Sequence, residues 1–152
     1  MNTRLLRELE LPEVEMAPGT ILIQEGADSS DVYVLLSGKV EVTSRGQQIA
    51  VTDTPGAVLG EVAVLLGRRP LATSKVVEPS TFYVIRDFNR FLREHAEAAV
   101  SVAQLLASQL TSSVNHLVMI KEQLGALQRT IDAYVPAFPT AAEDRPPQAG
   151  AM

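Results

Sequence analysis

Residues 59–73 read Leu59-Gly60-Glu61-Val62-Ala63-Val64-Leu65-Leu66-Gly67-Arg68-Arg69-Pro70-Leu71-Ala72-Thr73. Gly60 permits a tight turn and a close backbone approach. Glu61 to Leu66 can form one or two short helical turns that open just after that glycine. The first N–H groups of a helix lack a partner within it, and together they make an anion site. A glycine entry, a short helix and the nearby pair Arg68-Arg69 therefore suit a phosphate. Glu61 in the first turn is acceptor-only when ionised, which suits a ribose hydroxyl. The same residues also read as a plain turn followed by a capped helix, so the flanking pattern has to decide.

That pattern is one of short strands. Val32, Val34 and Leu36 alternate with Tyr33 and Leu35, a run apolar on both faces, as in a buried strand. Ser37-Gly38 predicts a turn that ends it. Val40 and Val42 then alternate with Lys39, Glu41 and Thr43, so one face of the next strand meets water. Pro18-Gly19 separates Val14–Met16 from Ile21–Ile23, and residues 26–31 form a turn cluster. Gln48–Val51, Ser74–Val77 and Thr81–Ile85 complete the set. Short strands at regular spacing with turn punctuation predict a sandwich or barrel. The expected fold class is α+β: an antiparallel, jelly-roll-like β-roll with a short helix after Gly60 and a long C-terminal helix.

Composition divides the chain into three zones, 1–94 (the roll with a short N-terminal helix), 95–131 and 132–152. The middle zone holds one glycine, Gly125, and no proline. Its residues Ala99, Ala103, Leu106, Leu110, Ser113, Leu117, Ile120, Leu124, Leu127 and Ile131 follow alternating steps of four and three. All but Ser113 are apolar, and a 3.5-residue period makes a straight stripe for a partner helix, as in a coiled coil. Such a helix spans about 50 Å, longer than one small domain covers. A homodimer seam through Leu106, Leu110, Leu117, Ile120, Leu124 and Leu127 is expected; the other reading packs the stripe on its own roll. Residues 98–120 carry no Asp, Glu, Lys or Arg, yet Ser101, Gln104, Ser108, Gln109, Thr111, Ser112, Ser113, Asn115 and His116 are too many polar groups for a membrane span. The last zone, rich in proline and alanine, is expected to be disordered.

The 152 residues are 46% apolar, enough for one core. Thirteen Lys/Arg against eighteen Asp/Glu give a net charge of −5, which argues against a DNA or anionic-membrane binder. Cysteine is absent, which removes disulfide, thiol and zinc–thiolate chemistry together. No signal peptide is visible at the N-terminus, and a cytoplasmic location is expected. No enzyme is expected either, because no nucleophile elbow, phosphate loop or zinc-binding helix motif occurs. The histidines, His95 and His116, stand about 30 Å apart along a helix and do not share a site. Asp28 and Asp31 read as a turn rather than a metal site.

The order of these pieces resembles the cyclic-nucleotide-binding domain family, of the kind found in catabolite activator protein and in protein kinase A regulatory subunits. The likeness covers roughly residues 11–130. Its carriers are Pro18-Gly19 before Ile21–Ile23, Gln24-Glu25-Gly26 before the Asp-containing turn, Ser37-Gly38-Lys39-Val40, and Gly60-Glu61-Val62-Ala63. The resemblance implies a phosphate-binding cassette. Gly60 and Ala63 would line a cyclic phosphate with backbone groups, Val62 stands at the family's Leu/Ile position, and Glu61 would accept the ribose 2′-hydroxyl. Ala72 and Thr73 stand at its Ala-Thr positions.

The family's arginine, however, falls on Pro70 and its proline on Arg69. Proline has no donor, and losing one partner of a buried charge pair costs on the order of 2–5 kcal/mol. Arg69 or Arg68 is the candidate replacement, although neighbours in an extended segment face opposite ways. Leu71 replaces the family's cGMP-linked serine or threonine, so cAMP is the favoured ligand; no resident cofactor is expected. The long helix would offer Ser112 and Ser113 to the base, or Ser113 bonds back to its own helix. The family's usual outputs, a helix-turn-helix, a second binding domain or membrane spans, are not seen. The implied function is a non-enzymatic, homodimeric sensor of a small anionic nucleotide that signals to an unknown protein partner through a hinge at Phe88-Asn89-Arg90-Phe91. The alternative is a ligand-free dimerisation scaffold with a degenerate pocket.

Overall fold

The computed structural model describes Met1 and residues 3–134. Of the expected tail, residues 132–134 are helical, and the rest, from 135 onward, lies outside the described residues. In chain order the elements are α1 (Thr3–Glu8), β1 (Glu13–Met16), β2 (Ile21–Ile23), β3 (Val32–Ser44), β4 (Gln47–Thr52), β5 (Val58–Leu59), α2 (Glu61–Leu65), β6 (Thr73–Ile85), α3 (Phe88–Glu94) and α4 (Ala96–Tyr134). The six strands form one antiparallel sheet in the order β1-β6-β3-β4, with β2 added to β6 and β5 to β3. The fold is α+β, an antiparallel β-roll with short helices and a long C-terminal helix.

Two expected strand ends are strand interiors. β3 runs through Ser37-Gly38, and β6 runs through Pro79 instead of breaking into Ser74–Val77 and Thr81–Ile85. The two long strands pair along their whole length, and their register shifts three times between Leu35 and Val40. Gly38 sits inside this irregularity at φ 100°, where an added Cβ would lie 2.1 Å from Ser80 Oγ and 2.6 Å from the Pro79 carbonyl oxygen. Only glycine allows that approach. The Lys39 amide donates to Ser80 Oγ at 3.0 Å and restores a bond that the bulge would forfeit.

Alternation along β3 builds two apolar clusters, one on each face of the sheet. Val32 and Val34 join Leu6 of α1, Tyr83 and Ile85 of β6, Phe88 and Phe91 of α3, and Ala98 and Val102 of α4. Leu35 and Val40 face the other way and meet Leu22, Ile23, Leu59, Val76 and Phe82. Asp87 caps α3 by accepting the Arg90 amide at 3.2 Å.

The chain divides into two compact units, Met1–Ser108 and one opening at Gln109. In the first, α4 packs through Ala98, Val102, Leu105 and Leu106, an i, i+4, i+7 face. That face is offset from the expected seam: Ala103 is exposed, and only Leu106 serves both stripes. In the second unit, the seam residues Leu110, Leu117, Ile120, Leu124, Leu127 and Ile131 are all exposed. Among the described residues no helix is long and apolar enough to cross a membrane.

Candidate functional site

β5 delivers the chain to the site. Leu59 pairs with Tyr33 and Val58 with Val34, so Gly60 follows directly from the sheet. It adopts φ 95°, and an added Cβ would stand 2.8 Å from Ile23 Cδ1 and 3.0 Å from the Asp31 carbonyl oxygen. The left-handed φ is what calls for glycine, and the turn sets the chain close to the Asp31 carbonyl in the loop before β3. α2 starts there, with the Val64 amide donating to the Gly60 carbonyl at 3.3 Å. The amides of Glu61, Val62 and Ala63 precede this first helical bond and have no carbonyl within the helix. Arg68 N donates to the Ala63 carbonyl at 3.0 Å and Gly67 N to that of Val64 at 3.2 Å. These bonds fasten the arginine turn onto α2.

The cassette residues of the sequence divide into three environments. Glu61 is 5% exposed. Burial raises its pKa; its own backbone amide and the Met1 ammonium pull it back down. The Met1 amino group donates to the Gly56 carbonyl, and burial lowers its pKa while Glu61 opposes that shift. Arg68 and Arg69 lie elsewhere. They line a cleft of about 580 Å³ with Asp28, Ser29, Ser30 and Ala63, and neither Gly60 nor Glu61 belongs to its walls. Arg69 Nε stands 3.3 Å from Asp28 Oδ1 in an exposed ion pair. The third environment is the entry to β6. Thr73 Oγ1 accepts the Glu25 amide at 3.0 Å and Gln24 Nε2 at 3.3 Å, so the loop after β2 already uses that hydroxyl.

Between these environments Pro70 is buried, and its carbonyl accepts the Gly26 amide at 2.9 Å. Leu71 is exposed, with its carbonyl accepting from Ser44 Oγ at 2.7 Å. Val62 is exposed and Ala63 buried. Ser112 and Ser113 are exposed residues of the second unit. Among the described residues no cluster of three or more metal-ligating side chains occurs.

Two features of the site escape a sequence reading. Asp28, Ser29 and Ser30 read as a turn, yet they form the wall opposite Arg68 and Arg69. Nothing near Glu61 in sequence points to Met1. Both are long-range contacts, across 41 residues in the case of Asp28 and Arg69, and residue spacing does not encode them.

Known proteins resemble this chain in sequence and fold. A Pycsar effector protein of Xanthomonas perforans is 29% identical over 113 residues, which are 72% of this chain and 37% of the effector. A cyclic nucleotide-gated channel beta-3 of Canis lupus familiaris is 36% identical over 62 residues, 40% of this chain and 8% of the channel. The chain therefore spans a minor part of the curated relatives it matches. Among solved structures, a cyclic nucleotide-binding domain from Methylobacillus flagellatus superposes with a TM-score of 0.65 at 21% identity, over 78% of this chain and 73% of that one. The catabolite activator protein of Thermus thermophilus gives 0.64 at 22% identity, over 80% and 60%. At these identities the structures speak for the fold. The family model for the cyclic nucleotide-binding domain matches residues 13–95, more than half of the chain and the whole path from β1 through the Gly60 turn to α3; the chain belongs to the cyclic nucleotide-binding domain family.

Proposed function

We propose that this chain is a regulatory, non-catalytic domain that senses a cyclic nucleotide and passes its occupancy to a paired α4. The observation that carries the reading is the left-handed Gly60, which brings α2 against the roll with its first three amides leading. Glu61 stands in the first turn of that helix as the acceptor for a sugar hydroxyl. Leu71 offers no hydroxyl to a guanine, so cAMP is the favoured ligand. The route outward is physical. Val64 of α2 packs against the cluster that holds Phe88 and Phe91 of α3 and Ala98 and Val102 of α4. A shift of α2 on binding therefore presses on the two helices that follow the roll, provided the ligand prefers one arrangement over the other.

Calorimetric titration with 3′,5′-cyclic nucleotides carrying each of the four bases tests this. Saturable micromolar binding, strongest for cAMP and reduced at least tenfold by Glu61→Ala, is the expected result. No heat and no thermal shift at millimolar ligand would overturn it.

One observation favours a second reading. Pro70, at the family's arginine position, is buried with its carbonyl engaged, so no guanidinium reaches the cassette from there. A dimerisation scaffold that keeps the roll without a ligand fits this, and it predicts the null titration.

A further inference from the structure

We propose that the cleft beside α2 is an anion site in its own right, which takes a phosphate-bearing ligand of nucleotide size between Arg68, Arg69 and the hydroxyls of Ser29 and Ser30, with Asp28 as its built-in competitor. The cleft measures about 580 Å³, within the range of small-molecule sites. Of the cassette residues named above, Ala63 and the two arginines line it; Gly60, Glu61, Ala72 and Thr73 do not. It therefore stands apart from the Glu61 environment and does not depend on it.

The chemistry follows from the walls. Arg68 carries no ion pair among the described residues. Arg69 is held through a single nitrogen by Asp28, with both side chains largely exposed, and pairs of that kind are weak. A phosphate presents more charge and takes guanidinium groups two bonds at a time. With Asp28 ionised, the charged side chains of the cleft sum to +1; once phosphate displaces Asp28 from Arg69, two guanidiniums face the anion. The hydroxyls of Ser29 and Ser30 supply neutral donors, and Ala63 and Val64 supply an apolar wall for the remainder of a nucleotide. The turn bonds from Gly67 and Arg68 back to α2 hold the arginine backbone in place before binding.

Titration of the full, 15N-labelled chain with AMP, cAMP, inorganic phosphate and adenosine reads the site directly. AMP and cAMP should shift the amide signals of Ser29, Ser30 and Gly67 saturably, whereas adenosine should leave them unmoved. Inorganic phosphate should bind at least fivefold more weakly than AMP. Arg68→Ala with Arg69→Ala, both on exposed side chains, should weaken binding at least tenfold, and Asp28→Asn should tighten it about two- to fivefold, the scale of one exposed ion pair. Shifts with adenosine, a double variant that binds like the wild type, or an Asp28→Asn variant that binds no tighter would overturn the proposal. Phosphate as tight as AMP would reduce the cleft to an adventitious ion only. Cyclic-nucleotide binding that needs Glu61 but not the arginines would overturn this site and keep the sensor reading; the reverse pattern would keep this site and remove Glu61 from the chemistry.

Discussion

Glu61 is where burial and charge pull in opposite directions on one carboxyl group. Burial raises its pKa above the ordinary 4.5, and the Met1 ammonium moderates the effect. Since the folded value lies above the unfolded one, the folded state holds the proton more tightly. The contribution of Glu61 to stability is complete below the unfolded value and is lost as pH rises through the folded one. Glu61→Gln removes the ionisation. At pH 7 the variant should melt at a higher temperature than the wild type, with the gap closing as the pH falls towards 4. Thermal melts across that range check it, and a gap that widens on acidification would contradict the burial argument.

Elements show how far local pattern reaches. The alternation of Val32 to Leu36 and of Val40 and Val42 marks strand wherever it occurs, and the structure has strand at both. Gly38 and Pro79 mislead, because glycine and proline signal turns locally but mark a bulge when a long partner strand holds the chain straight. The partner of β3 lies some forty residues away, and no window of sequence contains both. The bulge makes a sharp prediction. Gly38→Ala places a methyl group against the Pro79 carbonyl, which cannot rotate away, at a φ of 100°. The left-handed strain and the overlap together should cost about 3 kcal/mol, read as a lower urea midpoint with an unchanged slope. A loss below about 1 kcal/mol would mean that β3 and β6 part easily there. The cassette was legible for the opposite reason: Gly60, Glu61, Ala63, Arg68, Arg69 and Thr73 lie within one short segment. Their separation into three environments was not legible, since it depends on Met1, on Asp28 and on the loop at Gln24.

For the molecule as a whole, the open question is what covers the second unit. Its described part is helix alone, from Gln109 to Tyr134, and Leu110, Leu117, Ile120, Leu124, Leu127 and Ile131 are exposed on it. In proteins most of a helix's stability comes from packing an apolar face rather than from propensity. Burying a leucine contributes about 1.5–3 kcal/mol, so a second copy meeting these residues seam to seam offsets the ordering of both helices. Within the first unit α4 packs through Ala98, Val102, Leu105 and Leu106, so Leu106 of the expected seam is already engaged there. If pairing holds the helix, stability must follow mass action. Raising the protein concentration tenfold should raise the melting temperature, and dilution should lower the helical signal in circular dichroism. Sedimentation equilibrium should give a dimer at micromolar protein. Leu117→Glu puts a charge into each half of the seam and should weaken the dimer at least a hundredfold, with a melting temperature that no longer responds to concentration. A wild-type monomer at high micromolar protein, with helicity unchanged on dilution, would show that α4 stands without a twin and would remove the dimer from the signalling route.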